Sequence, residues 1–391
     1  MKYVLIRCED RARPSGDGAV GLLEAAKLTT LQHLAQTAAV GVVAADQKGP
    51  GRRSGPSANG LQTQWLWWGY RPEDVPAWQA GQCYAASLKV ELDAEDTVWC
   101  CELVTQHDGR LIDPTAGRIP TNQASTLIQT LQARLGTSTQ RWMVGDGSHH
   151  VLLVRDPEWQ QDLACAGTIP PPEGVVGHAW RRALPRHTMS KRVAGLIEAS
   201  IPFLDHHEIN KVRVDLGENP ANMIWLWGGC GAVAVPSFST KTGLSGALIA
   251  RGFPSRGLAH LLSLKWHDGP ARLDESGVRH VHRALTQALA SHDVVSVHLP
   301  IDQHDPVERQ CLMDRLDQLL VSPLTEHLMG HEEFRCVIAI EDRVSSTTPF
   351  VAAGTGLPPH PVVRLTHEAA ARSPLKFLDG AALIEWFLKA A

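Results

Sequence analysis

The chain has 391 residues, of which 43% are hydrophobic, and a formal net charge of −4. A chain of this length buries more than one core, so two domains are the default expectation. The nearly balanced charge gives no electrostatic footprint for nucleic acid, and no apolar run is long enough to cross a bilayer. We therefore expect a cytoplasmic globular protein with no nucleic-acid partner and no membrane partner.

The chain begins with a short apolar run that ends in charged residues at Arg7, Glu9, Asp10 and Arg11. This pattern predicts a buried strand and not a signal peptide. Later apolar runs predict buried strands at 40–45, 294–299 and 336–340, and amphipathic periodicity predicts helices at 278–289 and 307–320. Glycines and prolines predict a loop at 46–60. Short strands alternating with helices indicate an α/β fold whose mostly parallel sheet is covered on both faces.

Tryptophans recur in two segments, at Trp65, Trp67 and Trp68 and at Trp225 and Trp227. Their period-two spacing predicts strands that bury one face, so core packing explains them better than ligand stacking. The eight cysteines are scattered and several lie in apolar runs. We expect reduced core thiols and no structural zinc.

Ordered motifs along most of the chain resemble a single enzyme family. They include Asn219-Pro220-Ala221-Asn222-Met223-Ile224-Trp225-Leu226-Trp227-Gly228, Leu23-Glu24-Ala25-Ala26-Lys27, Gly69-Tyr70-Arg71-Pro72 and Val235-Pro236-Ser237-Phe238. Together they resemble the archaeal-type, cofactor-independent phosphoglycerate mutases of the alkaline-phosphatase-like superfamily. The resemblance implies an alkaline-phosphatase-like α/β core, with a mostly parallel sheet between helices, at 1–73 and 227–391. It also implies a smaller inserted α/β domain at 74–226.

Enzymes of that family move a phosphoryl group between two hydroxyls of phosphoglycerate through a serine and two divalent cations, and such cations need several oxygen or imidazole ligands. By this resemblance the cations would be manganese or zinc if the chain is active, and absent if it is not. The resemblance places metal ligands at Glu9, Asp302, His304, Asp342 and, with a shifted loop, His360. It also places Arg343 where the family has a ligand histidine, and an arginine cannot coordinate a cation.

The resemblance places the nucleophile at Ser57 or at Ser54, because both lie in the glycine- and proline-rich loop. Neither serine is followed by the family's aspartate, and a serine without a neighbouring metal or base is a poor nucleophile. On the substrate side, Arg118 and Arg256 supply positive charge and His149 stands at a clamp position. Arginine binds phosphate and carboxylate with two parallel hydrogen bonds, so these residues predict a pocket for a phosphorylated small molecule.

Three hypotheses follow from these residues. The first is a catalytically degenerate member that binds a phosphorylated metabolite or a protein partner, and the second is an active mutase or phosphohydrolase with a rebuilt metal site. The third is a structural partner that forms a homo-oligomer or pairs with an active relative through 65–70. We favour the first, because a two-metal clamp fails when most of its ligands are lost.

Overall fold

The structure is a computed structural model that describes residues 1–11, 21–44, 58–75, 80–161, 163, 169–303, 305–342 and 345–389. Its strands are β1 (Lys2–Asp10), β2 (Ala39–Ala44), β3 (Asp96–His107), β4 (Arg110–Asp113), β5 (Gln140–Asp146), β6 (His149–Arg155), β7 (Met223–Gly231), β8 (Gly246–Ala250), β9 (Lys265–Asp268), β10 (Val294–Ile301), β11 (Phe334–Glu341), β12 (Thr347–Gly354) and β13 (Leu375–Phe377).

The helices alternate with these strands along the chain. They are α1 (Leu22–Ala25), α2 (Thr29–Ala35), α3 (Ala58–Leu66), α4 (Ala80–Ser87), α5 (Thr121–Leu135), α6 (Pro157–Gln161), α7 (Trp180–Ala183), α8 (Thr188–Asp205), α9 (Glu208–Asp215), α10 (Phe238–Thr242), α11 (Phe253–Leu261), α12 (Glu275–Ser291), α13 (Pro306–Leu316), α14 (Ser322–Met329), α15 (His367–Arg372) and α16 (Gly380–Lys389). A π-helical turn at Asp317–Val321 joins α13 to α14.

An eight-stranded sheet forms the larger layer, in the order β13-β2-β12-β11-β1-β10-β8-β9. Every neighbouring pair is parallel except the two pairs that include β12. Side chains of β1 alternate between the two faces, as the pleat requires. Val4, Ile6 and Cys8 join one buried cluster, and Tyr3 and Leu5 join another on the opposite face. The predicted mostly parallel sheet with helices on both faces is confirmed.

A second sheet is built around β3, which has β6 on one side and β7 on the other, both antiparallel to it. Strand β5 extends the sheet beyond β6, and β4 pairs with the end of β3. Helix α4 packs against both β3 and α11, and the Ser87 hydroxyl donates to the Phe253 carbonyl at 2.5 Å. The division into a core at 1–73 and 227–391 and an insert at 74–226 stays a proposal.

The motif at 219–228 holds the second sheet together. Asn222 exchanges two hydrogen bonds with the backbone of Gln106 on β3, at 2.8 and 3.1 Å. Asn210 likewise donates to the Ala221 carbonyl and accepts from the Ala221 amide, at 2.9 and 2.8 Å. Buried amides that pair with backbone in both directions satisfy groups that would otherwise be costly to bury. This motif therefore fixes the scaffold.

The predicted strands agree with those of the structure. The apolar runs at 40–45, 294–299 and 336–340 correspond to β2, β10 and β11, and 278–289 lies within α12. The predicted helix at 307–320 is divided between α13 and the π-helical turn. Most of the predicted loop at 46–60 lies outside the described residues, and its last three residues begin α3.

The strand expected around Trp65 is wrong, whereas Trp225 and Trp227 do lie on a strand, β7. Trp65 belongs to helix α3 and is fully buried, with Tyr70 packed edge-on at 5.7 Å. The chain turns between them at Gly69, whose φ of 77° favours glycine. Three tryptophans within four residues are too few to separate a period of two from a helical period.

Within the described residues the cysteines are free, as expected, and all but the exposed Cys311 are buried. Cys165 lies outside that part of the chain. Among the helices described, none combines the length and the apolar character needed to cross a membrane.

Candidate functional site

Charged side chains gather where the central parallel strands end. Arg7 and Glu9 lie on the same face of β1, and the register places His298 of β10 beside Arg7 and Glu341 of β11 beside Glu9. Arg7 is 2% exposed and donates twice to Glu341 Oε2, from Nε at 3.0 Å and from Nη2 at 2.8 Å. Because carboxyl ends of parallel strands meet at one edge, the four side chains form a single cluster.

Glu9 is the centre of this cluster. Its Oε2 lies 2.7 Å from Nε2 of His298, 3.1 Å from Nη2 of Arg11 and 3.8 Å from Nη2 of Arg7. Burial opposes ionisation of Glu9, but Arg11, His298 and Arg7 hold its pKa well below the usual range. Burial, with the positive charge of Arg7, lowers the pKa of His298. A neutral His298 therefore donates from Nε2 to an ionised Glu9.

Arg11 faces more than one carboxylate. Burial opposes its charge, but Glu9, Asp302 and Glu341 together raise the pKa of Arg11. Its side chain is 41% exposed, so the guanidinium closes the cluster on the solvent side. Asp302 itself is exposed, and its negative charge interacts with the guanidinium of Arg11.

The opposite face of the same edge carries further ionic contacts. Buried Asp10 accepts a hydrogen bond from Nη1 of Arg309 at 3.0 Å. Asp342 accepts from the Leu22 amide at 2.6 Å, and Nε2 of His367 lies 3.9 Å from the same oxygen. His367 is held by Glu24, whose carboxylate oxygens lie 3.0 and 2.9 Å from Nδ1.

A second polar group lies on the smaller sheet. Glu102 on β3 is 2% exposed, and it accepts from the Tyr84 hydroxyl at 2.7 Å and lies 2.8 Å from Nδ1 of His149. Burial, followed by the charge of Glu102, raises the pKa of the Tyr84 phenol far above its usual value. Burial opposes protonation of His149, yet Glu102 raises its pKa above 6.5. Glu102 thus favours the protonated form of His149, whose side chain stays 35% exposed.

Phe253 joins this group to the larger sheet. Helix α11 begins at Phe253, three residues after β8 ends, and the His149 ring lies parallel to Phe253 with centroids 6.3 Å apart. The guanidinium carbon of Arg256 lies 5.4 Å from the Phe253 centroid. Nε of Arg256 is buried and has no hydrogen-bond partner among the described residues. An imidazole and a guanidinium therefore both lie beside one phenyl ring, and the guanidinium keeps one hydrogen-bond donor unused.

The pKa of His149 gives a pH prediction. Because the folded pKa lies above 6.5, protonation of His149 adds stability that is fully present below about pH 6.5 and is lost as the pH rises through the folded pKa. Glu102→Gln removes the main group that raises the pKa of His149 and leaves burial opposed only by the charges of Glu173 and Asp146, so we expect this pKa to fall. NMR titration of the ring, assigned with His149→Gln, measures it. An unchanged pKa in Glu102→Gln would contradict the ion pair.

The structure brings together three of the residues that the sequence analysis proposed as metal ligands. Glu9 and Asp302 both face Arg11, and Asp342 lies at the same edge on the opposite face. His360 does not join them. Its backbone pairs with Ala38, Ala39 and Val40 at the start of β2, which is the other edge of the sheet. His304, Ser54, Ser57 and Arg343 lie outside the described residues.

The residues proposed for substrate are also divided. His149 and Arg256 meet at Phe253, whereas Arg118 is exposed in the turn before α5, with a φ of 55°. Asp113 shapes that turn by accepting from the amides of Thr115 and Gly117, each at 2.8 Å. None of the described contacts links Arg118 to His149 or Arg256.

Several site residues were not proposed from the sequence, notably Arg7, Arg309, His367 and Glu102. A signal for Arg7 did exist, because an arginine two residues before Glu9 in an apolar strand must lie on the same face. Arg309 lies 299 residues from Asp10, and His367 lies 343 residues from Glu24. Only the tertiary fold brings them together, and spacing gave no signal.

The described residues do not fit the pair of divalent cations that the resemblance implies. Such cations need several neutral imidazoles or carboxylates, and the carboxylates must not already be paired with positive side chains. Arg7 lies between Glu9 and Glu341, Arg11 faces the same acids, and Arg309 holds Asp10. No group of three or more histidine, cysteine, aspartate or glutamate side chains in the described part of the chain is arranged to hold a metal.

Comparisons with known proteins agree with this architecture. A family model described as 2,3-bisphosphoglycerate-independent phosphoglycerate mutase matches residues 66–210. The mutases of that name from Methanosarcina acetivorans and Methanosarcina mazei are 29% and 30% identical over 265 and 266 residues, covering 66% of this chain and 66% of each relative. The match thus spans just under two thirds of the relatives' length.

A solved structure extends the likeness in fold to the whole chain. The cofactor-independent phosphoglycerate mutase from Thermoplasma acidophilum has a TM-score of 0.60 and 19% identity, with both chains fully covered. At that identity the likeness shows the alkaline-phosphatase-like fold alone. The matched sequences and the shared fold together establish that the chain is a divergent member of the archaeal-type, cofactor-independent phosphoglycerate mutase family.

Proposed function

We propose that this protein binds a phosphorylated small molecule and does not perform two-metal phosphoryl transfer. The observation that carries the proposal is the pairing of Arg7 and Arg11 with Glu9 and Glu341. Guanidinium groups stay protonated at any physiological pH, so their charge cannot be removed to admit a metal. A dication entering this cluster would meet two fixed positive charges, and the carboxylates that would attract it are already paired.

The proposed binding pocket lies at Phe253, where His149 and Arg256 meet. An imidazole whose pKa is raised and a guanidinium with an unpaired Nε–H can offer charge-assisted hydrogen bonds to phosphate or carboxylate oxygens. The substrate class follows from the relatives, which carry the name of phosphoglycerate mutases. Arg118 would contribute only if its turn approached this pocket, so we place the pocket on His149 and Arg256.

Ligand binding is tested with 3-phosphoglycerate as the probe. We expect it to raise the melting temperature of the wild-type chain, because a ligand that binds only the folded state stabilises it. Arg256→Ala should abolish the shift, and Arg256→Lys should retain part of it because the charge remains. Arg372→Ala is the matched control, since that arginine pairs only with exposed Glu368 in its own helix. An equal shift in Arg256→Ala would contradict the proposed pocket.

Catalysis is tested separately by a coupled assay for conversion of 3-phosphoglycerate to 2-phosphoglycerate with manganese added. We expect no turnover above background. Turnover that disappears in Ser57→Ala or Ser54→Ala would instead establish the active mutase with a rebuilt metal site. The cytoplasmic location and the homo-oligomer or protein partner stay predictions from sequence.

A further inference from the structure

Two histidines far from the acid cluster face each other at the end of α14. Nε2 of His327, in the last turn of the helix, lies 3.5 Å from Nε2 of His331, which follows the helix by two residues. The rings are nearly perpendicular, with centroids 5.2 Å apart at 74°. His327 is exposed and His331 is half-buried, so solvent reaches the space between the two nitrogens.

The separation of these nitrogens matches the edge of a metal coordination shell. Zinc binds imidazole nitrogen at about 2.0–2.1 Å with tetrahedral angles, which places two nitrogen ligands about 3.3 Å apart. A direct hydrogen bond at 3.5 Å is at the limit of useful length. The geometry therefore suits a shared cation better than a shared proton.

A third imidazole lies near the pair. His282 on α12 is half-buried, and its Nε2 has no hydrogen-bond partner in the part of the chain that is described. Burial and the charge of a protonated His327 together lower the pKa of His282. His282 is thus favoured in its neutral form, which is the form of imidazole that binds metals.

We propose that His327 and His331 form a surface site for a divalent transition metal of the zinc class, with water in the remaining positions. The metal would tie the end of α14 to the segment that enters β11. This site is independent of the proposed phosphate pocket and of the acid cluster. Neither the resemblance nor the names of the relatives assign a metal to these residues.

Calorimetric titration of the full chain with Zn²⁺ tests the site. We expect one equivalent to bind to the wild type, and His327→Ala and His331→Ala each to lose affinity by about tenfold or more, because each removes one of two protein ligands. His33→Ala, which removes an exposed histidine elsewhere, should bind like the wild type. Zinc should also raise the melting temperature of the wild type and of His33→Ala only.

Wild-type zinc affinity in both His327→Ala and His331→Ala would overturn the proposal, and so would the absence of binding in the wild type. Circular dichroism of the variants separates a lost site from a lost fold, and His331→Gln provides a second, milder change. Since no phosphorylated ligand is present, a negative result leaves the phosphate pocket untouched.

Discussion

Replacing Arg7 with methionine is expected to lower the free energy of unfolding by about 2 kcal/mol, because removing the buried arginine leaves the partly buried carboxylate of Glu341 without its partner. Arg7 is 2% exposed and donates twice to Glu341, while Glu9 lies 3.8 Å from it. Arg7 also lies over the Trp67 ring at 5.8 Å. Methionine preserves part of that packing, so the substitution measures mainly the loss of the positive charge. Urea unfolding of both proteins measures the difference.

Arg372→Met is the control for this substitution, because it removes an exposed arginine paired with Glu368 in the same helix. Exposed pairs of this kind contribute about 0.5 kcal/mol or less. Adding Glu341→Gln to Arg7→Met removes the stranded carboxylate and should recover about 1 kcal/mol or more. If Arg7→Met costs no more than Arg372→Met, the cluster is not held by its arginines.

The sequence predicts the sheet well because the buried strands carry continuous apolar runs, whereas the register of β1, β10 and β11 is seen only in the folded structure. The resemblance proposes Glu9 and Asp342 as ligands, and the structure places both where the central parallel strands end. The resemblance fails for His360, whose backbone is pulled to the start of β2 by pairing with Ala38 and Val40. His367, seven residues later, is the histidine that approaches Asp342.

The sequence predicts a metal site because only acids and histidines are considered as ligands, and the arginines that pair with those acids are not. A search for metal ligands selects Glu9, Asp302 and Asp342 and passes over Arg7 and Arg309. The carboxylates that accept hydrogen bonds from these arginines lie 334 and 299 residues away. A carboxylate can bind a metal only if no neighbouring positive side chain already neutralises it. Those neighbours are set by the folded structure at the ends of the strands. Spacing along the chain carries no such information.

Replacing Arg11 with methionine is expected to create affinity for Mn²⁺ where the wild type has none at this cluster. The guanidinium faces Glu9, Asp302 and Glu341, and its removal leaves these three carboxylates and His298 with Arg7 as the remaining arginine beside Glu9 and Glu341. Two unit charges 4 Å apart interact by about 4 kcal/mol at an effective dielectric constant of 20, and a dication feels about twice that. Because Arg11 is 41% exposed, solvent reduces this severalfold, so we expect about a hundredfold rise in affinity.

Arg11→Lys is the matched control, because lysine keeps the positive charge and should exclude Mn²⁺ as arginine does. Electron paramagnetic resonance counts bound Mn²⁺, and a background of His327→Ala with His331→Ala removes the histidine pair from the count. Adding Glu9→Gln to Arg11→Met should abolish the new binding, which locates the cation at this cluster. Equal affinity in Arg11→Met and Arg11→Lys would mean that charge matching does not govern this edge. If the charge of Arg11 is what excludes the cation, the acids of this cluster are neutralised by its own guanidinium groups.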